Sequence, residues 1–503
     1  MVLQGNACGT KGCSRRCFLK ASAGLALAAS AGGCQSFFRG KTDEVVVANA
    51  DPALGEYVDL SSLRPRPKVR ILAAVVREKP PYWLGWPGTS YDVEGHRKEY
   101  GQTFQTIGQK LGVTIEEASD PLETDEAAER FTARIKAEKP DAVLLHVQHI
   151  YSWPRVHAIS KSGVPTLIFA PVGTGFTQDV LDISRRPGIL VISSLEPIGV
   201  EQAMRAVRAK RQMEESRMLV LKGDERSETA LELLGTRIRY APRSLLNDTF
   251  ARMPVTDEAR QVARQMRRGA LRVVEPTSAD LIHAARSYMT AKRLMRDEAA
   301  NGITTDCLGM VTSKLVPTPP CMAATLFQDA GVTYGCEADL NAALSLMLVS
   351  YLFDKPGFMN DPVPETVKNR LVAAHCSSAT RLYGFNKPAE PYALRSHSES
   401  NIGVALQVLW RVGQPVTLLL FQGPKEVILD TGTVAANVDT PPAGGCRTSM
   451  ELVMDRIQDV RDVKGFHQVV FYGNHRRDVE AFCQLYGIRV VNSPEKPPRK
   501  DPA

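Results

Sequence analysis

The 503-residue chain predicts an α/β protein: two N-terminal Rossmann-like parallel-sheet domains followed by a β-rich C-terminal domain. Three observations carry this. Short β-branched runs alternate with amphipathic helical stretches from Val69 to Phe353, the signature of βαβ units and parallel sheets. After about Asn369 the alternation gives way to strands separated by turns. With 44% hydrophobic and 23% charged residues, the composition is globular, and the length exceeds one ordinary core.

The elements follow in order. Residues 1–34 read as a leader and 35–68, polar and then proline-bearing, as a tether. The first domain, 69–185, has strands at 69–76, 113–117, 141–147 and 165–170, with helices at 96–111, 123–138 and near 153–162. The second, 186–368, opens with a strand at 189–193. A helix at 200–216, a strand at 217–221 and a long helix near 278–300 follow. Strand 303–308, helix 320–330 and strand 332–337 then lead into an apolar helix at 340–353. The third domain, 369–495, has strands at 371–374, 403–409, 415–421, 426–434, 447–454 and 468–472, a helix at 478–486 and a strand at 488–491, before a tail at 496–503.

Chemistry concentrates where the second domain ends. Residues 335–344 read Gly-Cys-Glu-Ala-Asp-Leu-Asn-Ala-Ala-Leu. On an extended strand end Glu337 and Asp339, two apart, point the same way, and Asp339 can also cap the helix beginning at Leu340. The carboxyl end of a strand is where open α/β sheets place ligands. The plain alternative is a helix cap beside a solvated loop acid. Two histidines follow: His375 ends an apolar strand and His467 opens one. Arg395, His397 and Glu399 alternate, so on a strand they share a face that suits hydroxyl recognition; a surface ion-pair cluster is the alternative. Two carboxylates with two imidazoles suit a hard divalent ion such as Mn²⁺ and leave positions open for vicinal oxygens of a substrate.

The segment Cys336-Glu337-Ala338-Asp339-Leu340, the stretch from Lys355 to Asp361, the Ala374-His375-Cys376 triplet and the run Gly465 to Phe471 resemble, in order, motifs of the L-fucose and L-arabinose isomerase superfamily. The resemblance covers about residues 300–491 by motif and the earlier blocks by architecture. It implies a Mn²⁺ site on Glu337 or Asp339, His375 and His467, with Glu337 or Asp339 also acting as base. It also implies a homo-oligomer and aldose–ketose isomerisation, an intramolecular oxidoreduction that moves a proton between adjacent carbons. One departure stands out. Met310 occupies the place of a further glutamate, so either Asp306 substitutes or the reaction is altered. The rival expectation is a non-catalytic, exported carbohydrate-binding protein that keeps the isomerase fold.

Ser14-Arg15-Arg16-Cys17-Phe18-Leu19-Lys20 followed by a small apolar run resembles a twin-arginine signal, implying the Tat export machinery as a partner and a periplasmic or membrane-anchored destination. Ala31-Gly32-Gly33-Cys34 resembles a lipoprotein site, with Cys34 as the lipid anchor, although Ala31 stands where leucine is usual. Loss of this leader removes four positive charges and no negative one, lowering the formal charge from +7 to +3. No nucleic-acid partner is expected, because the basic runs near 205–211 and 264–268 are interrupted at helical spacing. The six cysteines beyond the leader are dispersed without a C-x-x-C pair, which excludes a zinc ribbon and a disulfide scaffold and leaves buried thiols.

Overall fold

The computed structural model describes residues 45–81, 85–313, 315–439 and 445–493. The leader, Cys34 and the tail at 496–503 lie outside the described residues. Among the described residues no helix is long and apolar enough to cross a membrane.

The first sheet contains β1 (Val69–Val76), β2 (Val113–Glu117), β3 (Ala142–Val147), β4 (Thr166–Ala170) and β5 (Ile189–Ser193), all parallel, in the order β2-β1-β3-β4-β5. Such an order places helices on both faces, so β1, β3 and β4 are buried almost throughout and read as continuous apolar runs. The strand at 189–193, expected to open the second domain, is instead the edge of this first sheet.

The second sheet is built from β6 (Arg217–Leu221), β7 (Ser227–Ala230), β8 (Arg237–Ala241), then, beyond β9 (Arg272–Val273), β10 (Gly302–Thr305) and β11 (Thr333–Gly335). Its order is β11-β10-β6-β8-β7, parallel except for the exposed edge strand β7. The sequence reading gave no strand at β7 or β8, whose alternating charges hide the pattern. The second parallel sheet is therefore shorter and mixed at its edge rather than a full Rossmann unit.

The C-terminal part is a closed barrel. Its strands are β12 (Phe358–Glu365), β13 (Arg370–His375), then, beyond β14 (Tyr392–Arg395) and β15 (Ala405–Val408), β16 (Pro415–Phe421), β17 (Glu426–Asn437), β18 (Thr448–Met454) and β19 (Gln468–Tyr472). The order β16-β19-β12-β13-β18-β17 returns to β16, so no edge is left among these six, and β20 (Arg489–Val491) adds in parallel to β17. Strands β14 and β15 pair with β9 in a separate three-stranded sheet.

Strand β12 starts the barrel eleven positions before the expected boundary at 369. Pro362 and Pro364 conceal it in the sequence, since proline cannot donate to a ladder. They are tolerated because β19 pairs only with Phe358–Asn360, leaving the rest of β12 bonded on one side.

Residues 45–68 are not a tether. Two short 3₁₀ turns, Pro52–Gly55 and Leu60–Leu63, bury Leu60 and Leu63 in the core around the second sheet, and the Arg64 guanidinium bonds Asp354, Ser350 and the Gly331 carbonyl.

Candidate functional site

Glu337 and Asp339 sit where β11 gives way to the helix Leu340–Phe353, but not on a strand: β11 ends at Gly335, and both Glu337 and Ala338 adopt positive φ, 58° and 52°. Two consecutive non-glycine residues in the left-handed region cost about 1–3 kcal/mol each, a strain that clusters at functional sites. The turn is pinned by the Ala338 N–H donating to the Thr305 carbonyl at 2.9 Å and the Asp339 N–H donating to the Cys336 carbonyl at 3.1 Å. Asp339 caps the helix, its Oδ1 accepting from the Ala342 N–H at 2.9 Å. Its other oxygen takes His467 Nδ1 at 2.9 Å. Both oxygens of Asp339 are thus engaged, and its place is behind His467.

The barrel supplies the opposing groups. Register pairs Asp361 on β12 with Ala374, beside His375 at the end of β13. Asn360, beside Asp361, pairs with Gln468, beside His467, whose own φ is 62°. Three barrel side chains therefore face Glu337. His375 Nδ1 meets Ser377 Oγ at 3.0 Å, which turns Nε2 toward Glu337 Oε1 at 3.6 Å. His467 Nε2 lies 3.3 Å from Glu337 Oε2 and 3.1 Å from Asp361 Oδ1. The ring centroids of the two imidazoles are 6.0 Å apart. Both Nε2 atoms are sealed from water, and neither has a hydrogen bond in line with these carboxylates.

Electrostatics match the geometry. The His375 and His467 imidazoles hold the Glu337 carboxyl far below its usual range against the opposing effect of burial. Burial acts to lower His467, but Asp339, Asp361 and Glu337 outweigh it and raise the imidazole to about 11. His375 shifts upward for the same reason, with Glu337 and Asp361 overcoming burial. Asp339 moves down because the His467 and Ala342 bonds exceed its desolvation. Carboxylates that raise two buried imidazoles make the pocket electronegative, and such a pocket attracts a cation. The donor set Asp361, His375 and His467, with its ligand atoms all within 4.8 Å of one another, fits a divalent ion.

The other expected residues divide. Strand β14 ends at Arg395, so Arg395, His397 and Glu399 do not share a strand face. Arg395 is turned to Glu275, with Nη2 at 2.7 Å from Oε1 and Nε at 2.9 Å from Oε2, and its Nη1 meets Gln407 Oε1 at 3.1 Å. It is a structural ion pair. His397, held by Ser400 Oγ at 2.9 Å, and exposed Glu399 do line the cavity. Met310 points into the apolar core, and Asp306 caps the short helix Cys307–Thr312 while pairing with Arg243 at 2.8 Å. Neither lines the cavity, so Asp306 does not take the place expected for a further acid, and the end of β10 delivers Cys307.

Sequence reasoning missed Asp361, Cys307 and Cys336 as cavity-lining groups. Cys336 was readable, being next to Glu337; Asp361 was hidden because only the barrel register brings it to His467. The cavity is about 30 Å³, room for an ion or a water, so any larger ligand would meet it at its rim, beside exposed Glu399.

No family model matches the chain. No curated protein matches it. Among solved structures, a carbohydrate transporter from Acidothermus cellulolyticus 11B in complex with myo-inositol is 11% identical, covering 50% of this chain and 79% of that one, with a TM-score of 0.18. A sugar ABC transporter from Yersinia enterocolitica subsp. enterocolitica 8081 is 13% identical, covering 54% and 81%, with a TM-score of 0.17. Superpositions this poor assign neither fold nor ligand.

Proposed function

We propose that the chain is an exported protein that binds a sugar or sugar derivative through a divalent metal ion held around His375 by Glu337, Asp361 and His467. The carrying observation is the pair of water-sealed Nε2 atoms, on His375 and His467, aimed at carboxylates without an aligned hydrogen bond. An ion at this position exchanges these imidazole–carboxylate contacts for ligand bonds, each imidazole binding through a neutral Nε2. The ion supplies a Lewis-acidic centre for vicinal oxygens. Asp339 orients His467, Ser377 orients His375, and buried His397 leads to exposed Glu399, the side from which hydroxyls would arrive.

Binding is favoured over isomerisation because the end of β10 presents Cys307 rather than a second catalytic acid, and because Asp306 is tied to Arg243. Isomerisation stays a second reading on one observation: Glu337 and Asp361 bring two carboxylates to one cavity from different elements. Export rests on the Arg15-Arg16 leader pattern.

The test is metal content and ligand binding on the purified full chain. Stoichiometric divalent metal, lost in the double variant His375→Ala/His467→Ala, and metal-dependent retention of an aldose or polyol in equilibrium dialysis are expected. Metal content unchanged by the double variant would sink the reading. Solvent deuterium appearing at a carbon of the bound aldose would establish isomerisation in place of binding alone.

A further inference from the structure

Of the six cysteines among the described residues, five line the same small cavity as the acidic and imidazole groups: Cys307, Cys321, Cys336, Cys376 and Cys446. The sixth, Cys483, is buried in the helix Arg476–Leu485. Dispersed over 140 positions of sequence, these thiols are gathered by the fold at the contact between the second sheet and the barrel. Cys307 and Cys336 also belong to a main apolar core, and Cys321, Cys376 and Cys446 form a small apolar cluster with Ala405, so the case for a ligand is carried by the place of Cys336 alone.

The Cys336 Sγ has a particular place. It immediately precedes Glu337, and the strained turn at Glu337–Ala338 sets both side chains toward the barrel. One ligand atom each from Cys336, Glu337 and His375 all fall within 4.8 Å of one another. Donors bound to one tetrahedral ion at about 2.0–2.3 Å lie about 3.5 Å apart, so small side-chain adjustments close the set. Cys307 Sγ stands 3.0 Å from Cys336 Sγ and can take or give its hydrogen. His375 Nε2 is common to this triad and to the Asp361–His375–His467 triad, and it has a single lone pair to offer.

We infer that Cys336 is a thiolate ligand of the cavity's ion, together with Glu337 and His375, and that the ion is therefore of the thiolate-accepting class such as Zn²⁺ rather than Mn²⁺. The inference rests on the metal reading above and replaces the hard ion expected from the carboxylate pattern. Hard ions prefer all-oxygen sets, whereas a sulfur, a nitrogen and a carboxylate oxygen suit zinc, with His467 or Asp361 left to complete the fourth position. Binding exchanges the Cys336 thiol proton for the ion and releases that proton to solvent; no electron is transferred.

The test is titration of the reduced, metal-free full chain with Co²⁺, a spectroscopic stand-in for Zn²⁺. An intense near-ultraviolet thiolate-to-cobalt charge-transfer band is expected, abolished by Zn²⁺ competition, absent in Cys336→Ser and retained in Cys483→Ser. Circular dichroism of both variants reports folding, and Cys336→Ala serves if the serine variant misfolds. Stoichiometric Co²⁺ uptake with weak visible bands and no charge-transfer band overturns the thiolate ligand while leaving the metal site standing. Absence of Co²⁺ uptake overturns both. A Cys307–Cys336 disulfide in protein isolated without reductant, together with no uptake after reduction, would assign the pair to cross-linking instead.

Discussion

Asp339 does two jobs that neither a cap nor a ligand alone would explain. Its Oδ1 terminates the helix Leu340–Phe353 and its Oδ2 fixes the ring of His467, so the start of one element is tied to the tip of another. The substitution Asp339→Asn separates the roles, because asparagine caps a helix about as well as aspartate but withdraws the anionic acceptor behind the imidazole. Metal affinity is expected to fall by about 10–100-fold while the thermal midpoint of the metal-free protein stays close to wild type. Isothermal titration beside a thermal melt checks both, and an unchanged affinity would remove Asp339 from the site. At this scale the sequence was informative for the cap at Asp339 and for His375 at the end of its strand, and it misplaced Glu337 on a strand that ends at Gly335. It was silent on Asp361, which precedes Pro362 and whose partner is 106 positions away.

The helix Leu340–Phe353 is buried on every face from Ala342 onward. It packs between the second sheet, the helix Ile198–Glu215 and strands β16 and β19, which explains why its sequence shows no polar stripe. Asp354 ends it in the left-handed region and gathers Arg64 at 2.8 Å, Arg205 at 2.6 Å and Arg208 at 2.9 Å. These arginines overcome burial and hold the carboxyl below its usual value. A carboxylate with a depressed folded value stabilises fully above its unfolded value of about 3.9, and that contribution is lost as pH falls through the folded value. Asp354→Asn is therefore expected to cost about 1–3 kcal/mol at pH 7, a range discounted because the carboxylate is 40% exposed. The gap to wild type should narrow below about pH 4. Urea unfolding across pH measures it, and a gap that widens in acid would contradict the ion-pair account. The helix itself was legible from its apolar run and cap, but the arginine cluster was not, since Arg64 and the helix carrying Arg205 and Arg208 lie far from Asp354 in the chain.

Over the whole molecule, the candidate ion site joins parts that differ in architecture: Glu337 and Cys336 follow a parallel strand, while Asp361, His375 and His467 belong to the barrel. An ion there links the two across their contact, so chelation is expected to lower the thermal midpoint by a few degrees. At a free metal concentration a hundredfold above Kd, the linked stabilisation is about 2.7 kcal/mol. Differential scanning calorimetry with and without a chelator checks this, and identical midpoints would argue against a bridging ion.

The sequence by itself determined that parallel α/β blocks precede a β-rich region, since periodicities of 3.6 and 2 are written in local residue order. It also placed His375 at a strand end and Asp339 at a helix start. Only the tertiary structure decided that the β-rich region closes into a barrel beginning at Phe358, that the strand at 189–193 belongs to the first sheet, and that residues 45–68 pack rather than tether. It likewise decided that Asp361 and five cysteines meet around His375 while Arg395 turns away to Glu275. The physical reason is the same in each case. Strand partners, barrel closure and side-chain convergence depend on register between segments far apart in the chain, and no local pattern of residues records that register.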